Sequence, residues 1–391
     1  MSGRTVIRHG RILDPASRGD RTGDLVIEAG VIREITAAGA AATQSAEVIE
    51  AKGRWVTPGF VDLHVHLREP GQEYKEDIAS GSAAAAAGGF TTIVAMPNTE
   101  PVIDNGELVH YIIRRGEAVG LCRVMAAGAV TAGQGGQGLA PFGEIKAAGA
   151  VAVTDDGRPV ADANLMRRAL EYARDFDLPV LSHAEEPALA KGGHMHEGVV
   201  STRLGLGGIP GAAEDVAVAR DIALADLTCG RLHICHVSTA GSVELIRRAK
   251  AQGLRVIAEA APHHFSLNHE AVESYDTRTK MNPPLREEAD RQAIIAGLAD
   301  GTLDAIATDH APHSSIEKDV AYDEAKFGLI GLQTALPLTL ALVRSLALTP
   351  LAAIERLTFG PSRVLGLSSG SRAAGAPADV VVLDPEGRFV L

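Results

Sequence analysis

The pattern of hydrophobic and polar positions changes near residue 55. Before it, short apolar runs separated by turns lie at residues 6–13, 24–28, 31–35 and 47–51, with no helical period. Beyond residue 60, apolar runs alternate with longer amphipathic segments at intervals of roughly 25 to 50 residues. The pattern therefore predicts a small β region followed by a long series of strand–helix units.

Eight apolar runs in the second region have the length of buried strands. They span residues 61–67, 91–97, 123–130, 150–155, 180–184, 232–237, 255–260 and 304–308. Most follow a glycine of the kind that ends a helix, and Pro179 introduces the fifth. Strands alternating with helices indicate parallel pairing, and eight such units are what a closed (β/α)8 barrel requires. The predicted fold class is α/β, with a TIM-type barrel.

The small β region is expected to be composite. We expect the apolar run at residues 380–383 to join the N-terminal strands in a small β-sandwich domain. The predicted domains are residues 1–55 and 366–391 for the two parts of this β domain, and residues 56–365 for the barrel. Because the chain stops four residues after a turn at 384–387, we expect the C-terminal part to be truncated.

Composition and charge restrict the partners. The chain has 37 basic and 49 acidic residues, a net charge of −12, and no basic cluster, which argues against nucleic acid or an anionic membrane as partner. Cys122, Cys229 and Cys235 form no Cys-x-x-Cys pair, and the N-terminus lacks a secretory signal, so a cytoplasmic location is expected. Pro337 interrupts the most apolar region, residues 329–354, which favours buried helices over a membrane span. A small molecule is the expected ligand.

Two histidines separated by one residue lie in the first predicted barrel strand. Side chains two residues apart project from the same face of a strand, so His64 and His66 can share a metal ion. The same spacing recurs at His194 and His196, but glycines flank this pair and no strand pattern surrounds it. We therefore expect only the first pair to bind metal.

Polar side chains collect at the C-terminal ends of the predicted strands, where barrel enzymes carry their catalytic groups. Five of the eight ends offer nitrogen or carboxylate ligands suited to zinc, namely His64, His66, Asp155, Asp156, His183, His236 and Asp309. Asp155 and Asp156 point to opposite faces, so only one can reach the barrel mouth. By the same alternation, His233 should face the helices. His263 and His264 either line the site or have a structural role.

This set of side chains has a chemical interpretation. Four histidines and two carboxylates exceed the needs of one tetrahedral ion, and they suit two ions that share a carboxylate and a hydroxide. Two metals lower the pKa of the bridging water and polarise a substrate carbonyl, as amide hydrolysis or its reverse requires. Asp309 can carry the proton between water and the substrate nitrogen.

The order of these motifs resembles that of the amidohydrolase superfamily, and specifically of the type I bacterial dihydroorotases. The matching segments run through almost the whole barrel, at residues 58–71, 95–99, 154–157, 182–185, 235–239, 280–286 and 307–313. The resemblance implies a zinc-dependent hydrolase that reversibly cyclises N-carbamoyl-L-aspartate to L-dihydroorotate and water. This reaction is a step of de novo pyrimidine (UMP) synthesis.

The resemblance also implies residue roles. Two zinc ions would be held by His64, His66, Asp156, His183, His236 and Asp309. In this assignment Asp156 bridges the ions and Asp309 is the general acid/base. Substrate contacts would come from His66, Arg68, Asn98, Asn282, His313, Phe327 and Gly328. Arg68, Asn98 and His313 would hold the α-carboxylate, for which a planar guanidinium is well suited.

Two alternatives remain open at this stage. Related hydantoinases, dihydropyrimidinases and allantoinases bridge their metals with a carboxylated lysine at the end of strand four, where this chain has Asp155 and Asp156 instead. The other alternative is a catalytically silent scaffold for aspartate carbamoyltransferase, but silent relatives have lost metal ligands and none is missing here. Association with that enzyme, or of the chain with itself, stays open.

Overall fold

The computed structural model describes residues 3–367 and 374–388, and its central element is an eight-stranded parallel sheet. Its strands, numbered β1 to β8 within this sheet, are Phe60–Val65, Phe90–Ala95, Arg123–Gly128, Ala152–Thr154, Val180–Ser182, Leu232–Ile234, Val256–Ala260 and Ala305–Ile306. Consecutive strands are neighbours throughout. The sheet closes between its first and last strands, where the His66 N–H donates to the His310 carbonyl at 2.8 Å. The predicted α/β barrel is confirmed.

Alternation along the strands creates two apolar layers. Val61, Val94 and Leu181 belong to the layer inside the barrel. Ile93 and Ile234 belong to the layer between the strands and the helices. The interior layer fills the barrel below the polar residues at the C-terminal ends of the strands.

Helices surround the barrel, and shorter helices lie within its loops. They span Ile78–Gly88, Gly106–Val119, Phe142–Ala147, Ala163–Arg174, Pro187–Ala190, Val199–Leu204, Ala212–Thr228, Ala240–Ala251, Pro262–Ser266, Glu288–Asp300, Ser315–Lys318, Ala335–Arg344, Pro350–Leu357 and Phe359–Leu365. Four 3₁₀ turns lie at Pro15–Ser17, Ala132–Gln134, His269–Ser274 and Thr277–Thr279, and a two-stranded sheet joins Met195–His196 to Gly208–Ile209. Within the described ranges, no helix is both long and apolar enough to cross a bilayer.

One helix illustrates how the sequence sets these boundaries. Asn105 caps the helix Gly106–Val119 by accepting a hydrogen bond from the Leu108 N–H at 3.1 Å. Gly120, at φ 69°, ends it in the left-handed conformation that favours glycine. Gly116 faces β3, where a Cβ atom would come within 2.4 Å of Val124. Glycine at this position lets the helix pack closely on the barrel.

The small β region is one mixed sheet of six strands, Arg4–Asp14, Gly19–Glu28, Val31–Ala37, Glu47–Glu50, Trp55–Pro58 and Val380–Leu383. The last strand runs antiparallel to Trp55–Pro58, with Val382 opposite Val56. The expected pairing of N- and C-terminal segments is therefore observed. Residues 368–373 and 389–391 of the predicted segment 366–391 lie outside the described residues, and the domain boundaries remain predictions.

Candidate metal centre and substrate cavity

Four imidazoles surround one carboxylate at the C-terminal mouth of the barrel. Asp156 Oδ1 lies 3.3 Å from His64 Nε2, 3.5 Å from His183 Nδ1 and 3.4 Å from His236 Nε2. Its other oxygen, Oδ2, lies 3.3 Å from His66 Nε2. All five side chains are buried. Both oxygens of the Asp156 carboxylate thus face imidazole nitrogens, as a shared metal ligand would.

Asp309 supplies a second carboxylate on one side of this cluster. Its Oδ1 atom lies 3.3 Å from His66 Nε2 and 3.6 Å from His64 Nε2. Its backbone has φ 49°, an unusual conformation for a non-glycine residue, which turns the chain at the end of β8. The structure therefore brings together all six residues expected to bind metal.

The donor separations fit zinc. Bonds of about 2.0–2.1 Å from a tetrahedral zinc ion place neighbouring donor atoms ~3.3 Å apart. The imidazole-to-carboxylate distances around Asp156 are 3.3–3.5 Å, and His183 Nδ1 lies 3.0 Å from His236 Nε2. His64 Nε2 is buried and has no hydrogen-bond partner among the described residues. A bound cation would satisfy this atom.

Hydrogen bonds on the far side of two rings orient them. His66 Nδ1 lies 2.8 Å from Asn98 Oδ1, and His64 Nδ1 lies 3.4 Å from Glu259 Oε1. Both partners are acceptors, so each ring donates from Nδ1, and a ring that has lost its second proton directs the lone pair of Nε2 towards the carboxylates. This is the tautomer that a metal ligand needs.

Both site carboxylates are held ionised. Burial alone would raise the pKa of Asp156, but the charge of His64 and hydrogen bonds from His183 and His236 hold that pKa well below its usual value. Burial is likewise outweighed at Asp309, mainly by a hydrogen bond from His66, and the pKa of that carboxyl is lowered. Each group is therefore an anion at neutral pH, the form that binds a cation.

Asp155 faces away from this centre. Its Oδ1 accepts hydrogen bonds from the backbone N–H groups of Val130 and Thr131 at 2.8 and 3.1 Å, and its Oδ2 accepts one from the Thr131 hydroxyl. Asp155 therefore ties the loop after β3 to the end of β4. The two adjacent aspartates point in opposite directions, as we predicted.

His233 corrects one prediction. It pairs in register with Leu181 and Ile257, both of the barrel-interior layer, so it faces the interior and not the helices. The prediction was wrong because strict alternation ends before His236. His236 has φ 34°, in the left-handed region, and this turn brings its ring to the mouth.

A cavity of ≈ 220 Å³ opens above the metal centre. It is lined by His66, Arg68, Asn98, Asp156, Gly157, His183, Asn282, Asp309, Ala311, His313, Phe327 and Gly328. Every residue expected to contact substrate is therefore present at the cavity wall.

Arg68 gives this cavity its affinity for anions. The side chain is buried, and its Nε donates to the Pro312 carbonyl at 3.1 Å. Among the described residues, no carboxylate lies within 4.0 Å of its guanidinium. His313 lies beside it and donates from Nε2 to the Phe327 carbonyl at 2.7 Å. A buried guanidinium without an anionic partner suits a ligand that brings a carboxylate.

His196, His269 and Glu287 form a second group whose donor atoms lie within 4.8 Å of one another. Arg286 Nη1 lies 3.3 Å from His196 Nδ1, and a guanidinium can only donate, so Nδ1 accepts. Burial and Arg286 lower the pKa of His196 to about 4. The neutral ring therefore carries its proton on Nε2, facing Glu287 at 3.8 Å. We interpret this group as a polar cluster held together by Arg286, and the expectation that the second histidine pair does not bind metal stays a prediction.

We did not predict Glu259 from the sequence. It lies inside the barrel and contacts His64 and His233. Burial would raise its pKa, but these two imidazoles, His233 first, lower that pKa to about 2. The available signal was a single charged residue within the apolar run 256–260.

Comparisons with known proteins agree with the chemistry of this site. A family model described as Dihydro-orotase-like matches residues 53–242. The dihydroorotase of Pelobacter propionicus is 56% identical over 380 residues, covering 97% of this chain and 89% of the relative. That of Syntrophobacter fumaroxidans is 54% identical over 389 residues, covering 99% of this chain and 89% of the relative.

Solved structures show the same fold in more distant proteins. The L-hydantoinase (dihydropyrimidinase) from Arthrobacter aurescens matches with a TM-score of 0.86 at 22% identity, over 97% of this chain and 86% of its own. The dihydropyrimidinase from Brevibacillus agri matches with a TM-score of 0.80 at 23% identity, over 98% of this chain and 86% of its own. At these identities the likeness concerns the fold alone. The near-full-length relatives, together with the buried histidine and aspartate cluster, show that this chain belongs to the dihydroorotase family of the amidohydrolase superfamily.

Proposed function

We propose that this enzyme interconverts N-carbamoyl-L-aspartate and L-dihydroorotate, releasing water on ring closure, in de novo pyrimidine synthesis. One observation carries the proposal: a cluster of four histidines and two aspartates shares its cavity with a buried guanidinium that forms no ion pair with any described carboxylate. The first feature suits cleavage or formation of an amide bond. The second suits a substrate with a carboxylate next to that bond.

We propose two zinc ions per chain. His64 and His66 would hold one ion and His183 and His236 the other, while Asp156 would bridge them. When bound, the ions would supply a water of lowered pKa and polarise the carbonyl of the scissile amide. The donor separations near 3.3 Å described above support this assignment.

Asp309 is the proposed general acid/base. Its carboxylate lines the cavity and is ionised at neutral pH because its pKa is lowered. In the hydrolytic direction it would accept a proton from the attacking water and deliver it to the amide nitrogen that leaves. In the cyclising direction it would take a proton from the attacking amide nitrogen and deliver it to the departing oxygen, which leaves as water.

The remaining cavity residues would hold the substrate. Arg68, Asn98 and His313 would bind the α-carboxylate, with the guanidinium as the charged partner. Asn282 and the backbone of Phe327 and Gly328 would contact the ring. Their common position at the cavity wall supports these roles, and His66 would contact the substrate from the metal side.

The test uses three substrates and one variant. Purified enzyme loaded with zinc should hydrolyse dihydroorotate faster than hydantoin or dihydrouracil, which lack the carboxylate. Arg68→Met should remove most of that preference while leaving the zinc content near two ions per chain. Faster turnover of hydantoin or dihydrouracil would favour a hydantoinase-like activity. A zinc content near zero, with no turnover, would favour the silent scaffold.

Assembly is a separate prediction. We propose that the chain forms a homo-oligomer or binds aspartate carbamoyltransferase, the two assemblies that the sequence leaves open. Light scattering of the purified chain, alone and mixed with that enzyme, measures both states. A monomer that stays unbound in the mixture would contradict both.

A further inference from the structure

A carboxylate lies beneath the metal centre, inside the barrel. Glu259 is 1% exposed and belongs to β7. His233 of β6 pairs with Ile257, and Glu259, two residues later on the same strand, faces the same interior layer. That layer is otherwise built mainly from apolar side chains. A carboxylate buried there is unfavourable unless its oxygens find donors.

Glu259 has a donor for each oxygen. Oε1 lies 3.4 Å from His64 Nδ1, and Oε2 lies 2.9 Å from His233 Nε2. A carboxylate only accepts hydrogen bonds, so both ring nitrogens carry hydrogen. The proton on His64 Nδ1 leaves a lone pair on Nε2, the atom that faces Asp156 at 3.3 Å. The orientation of this ligand therefore depends on Glu259.

The two histidines of β1 differ in this respect. His66 Nδ1 has a neutral partner, Asn98 Oδ1 at 2.8 Å, while His64 Nδ1 has an anion. An anionic acceptor makes the opposite ring nitrogen a stronger electron donor than a neutral amide does. His64 should therefore be the stronger ligand of the pair.

We propose that Glu259 is a positioning residue that sets the tautomer and donor strength of His64, and that His233 holds Glu259 in place for this task. The inference rests on the metal site proposed above and deepens it. Neither Glu259 nor His233 lines the substrate cavity. In this proposal their effect passes through His64.

Glu259→Gln tests the proposal in the full chain. Glutamine keeps the size of the side chain and one acceptor oxygen but removes the charge. Zinc affinity of the metal-free protein is measured by competition with a chromophoric chelator, in the absence of substrate. We expect one of the two ions to bind roughly 10–100-fold more weakly, the usual effect of losing such a partner. The visible spectrum of the cobalt-substituted protein should shift as well, because the ligand field of His64 changes.

Two further variants complete the design. Ile257→Val, on the same face of the same strand, is the control for a general disturbance of the interior and should leave zinc affinity and the cobalt spectrum unchanged. His233→Gln should weaken zinc binding in the same direction but less, and it decides the matter if Glu259→Gln does not fold.

Unchanged zinc affinity and an unchanged cobalt spectrum in folded Glu259→Gln, or in His233→Gln if that variant alone folds, would overturn the proposal. An equal loss in Ile257→Val would do the same. Failure of the wild type to hydrolyse dihydroorotate would refute the proposed function instead, since zinc affinity is measured without substrate.

Discussion

Replacing each of the two adjacent aspartates after β4 should separate metal binding from folding. Asp156→Asn keeps the shape of the side chain but removes the charge that faces four imidazoles at 3.3–3.5 Å. We expect it to lose both zinc ions and all measurable turnover. Its metal-free form should still fold, because among the described residues no backbone N–H donates to this carboxylate.

Asp155→Ala should behave in the opposite way. It removes the acceptor of two buried backbone N–H groups, those of Val130 and Thr131. Each unsatisfied N–H costs about 1–3 kcal/mol, so the free energy of unfolding should fall by roughly 2–6 kcal/mol. The Thr131 hydroxyl can rotate to another partner and adds little. For a chain of this size the loss corresponds to a drop in Tm of roughly 2–7 °C.

Asp155→Asn is the matched control. Its amide oxygen can still accept both N–H groups, so its Tm should lie near that of the wild type. Zinc content by plasma mass spectrometry, Tm after chelation and dihydroorotate turnover are measured for all variants. Loss of zinc from Asp155→Asn combined with retention in Asp156→Asn would mean that the orientation assigned to the end of β4 is wrong by one residue.

Three other perturbations probe separate parts of the site. Asp309→Asn should keep the ions held by other ligands but lower turnover in both directions by roughly 10²–10⁴-fold, and near-normal rates would remove it from proton transfer. Lys280 donates to the carbonyls of Tyr322 and Asp323 at 2.7 and 2.9 Å. Lys280→Met should therefore speed hydrogen exchange in residues 314–327 and raise KM at constant zinc content, and unchanged exchange would contradict that. The pKa of His196, lowered from 6.5 to about 4 by burial and Arg286, means that the unfolded chain binds the extra proton between these pH values. The free energy of unfolding should thus fall by up to about 3 kcal/mol as pH decreases from 6.5 to 4. His196→Gln should flatten this slope in chemical denaturation, and an unchanged slope would contradict the assignment.

Strand positions were predictable because their signals are local. Each of the eight predicted runs overlaps an observed strand, since an apolar run marks each strand and a helix-ending glycine precedes most of them. The observed strands are shorter, and the polar ligands lie just beyond most of them. Ligand identity was accessible for the same reason: imidazole and carboxylate groups at strand ends converge whatever their separation along the chain.

Side-chain direction beyond a strand end was less predictable. Arg68, His236 and Asp309 all have positive φ values, of 62°, 34° and 49°. The residue types at these positions do not predict such a turn. The turn at His236 ends the alternation from which we predicted His233 to face the helices. Glu259 was missed because its partners come from two other strands. Its role depends on neighbours that only the closed sheet brings near.

The closure of the barrel makes the metal centre a measure of complete folding. His64 lies on the first strand, His66 directly follows it, and Asp309 follows the last strand, so these ligands meet only after β8 has docked beside β1. Two hydrogen bonds cross the same junction, from the His66 N–H to the His310 carbonyl and from the Thr308 N–H to the Asp62 carboxylate at 3.1 Å. A chain still in synthesis could not bind an ion through both sides of this junction until residue 309 had left the ribosome. Once formed, the complex would oppose separation of the first and last strands, because opening them would also cost the free energy of metal binding.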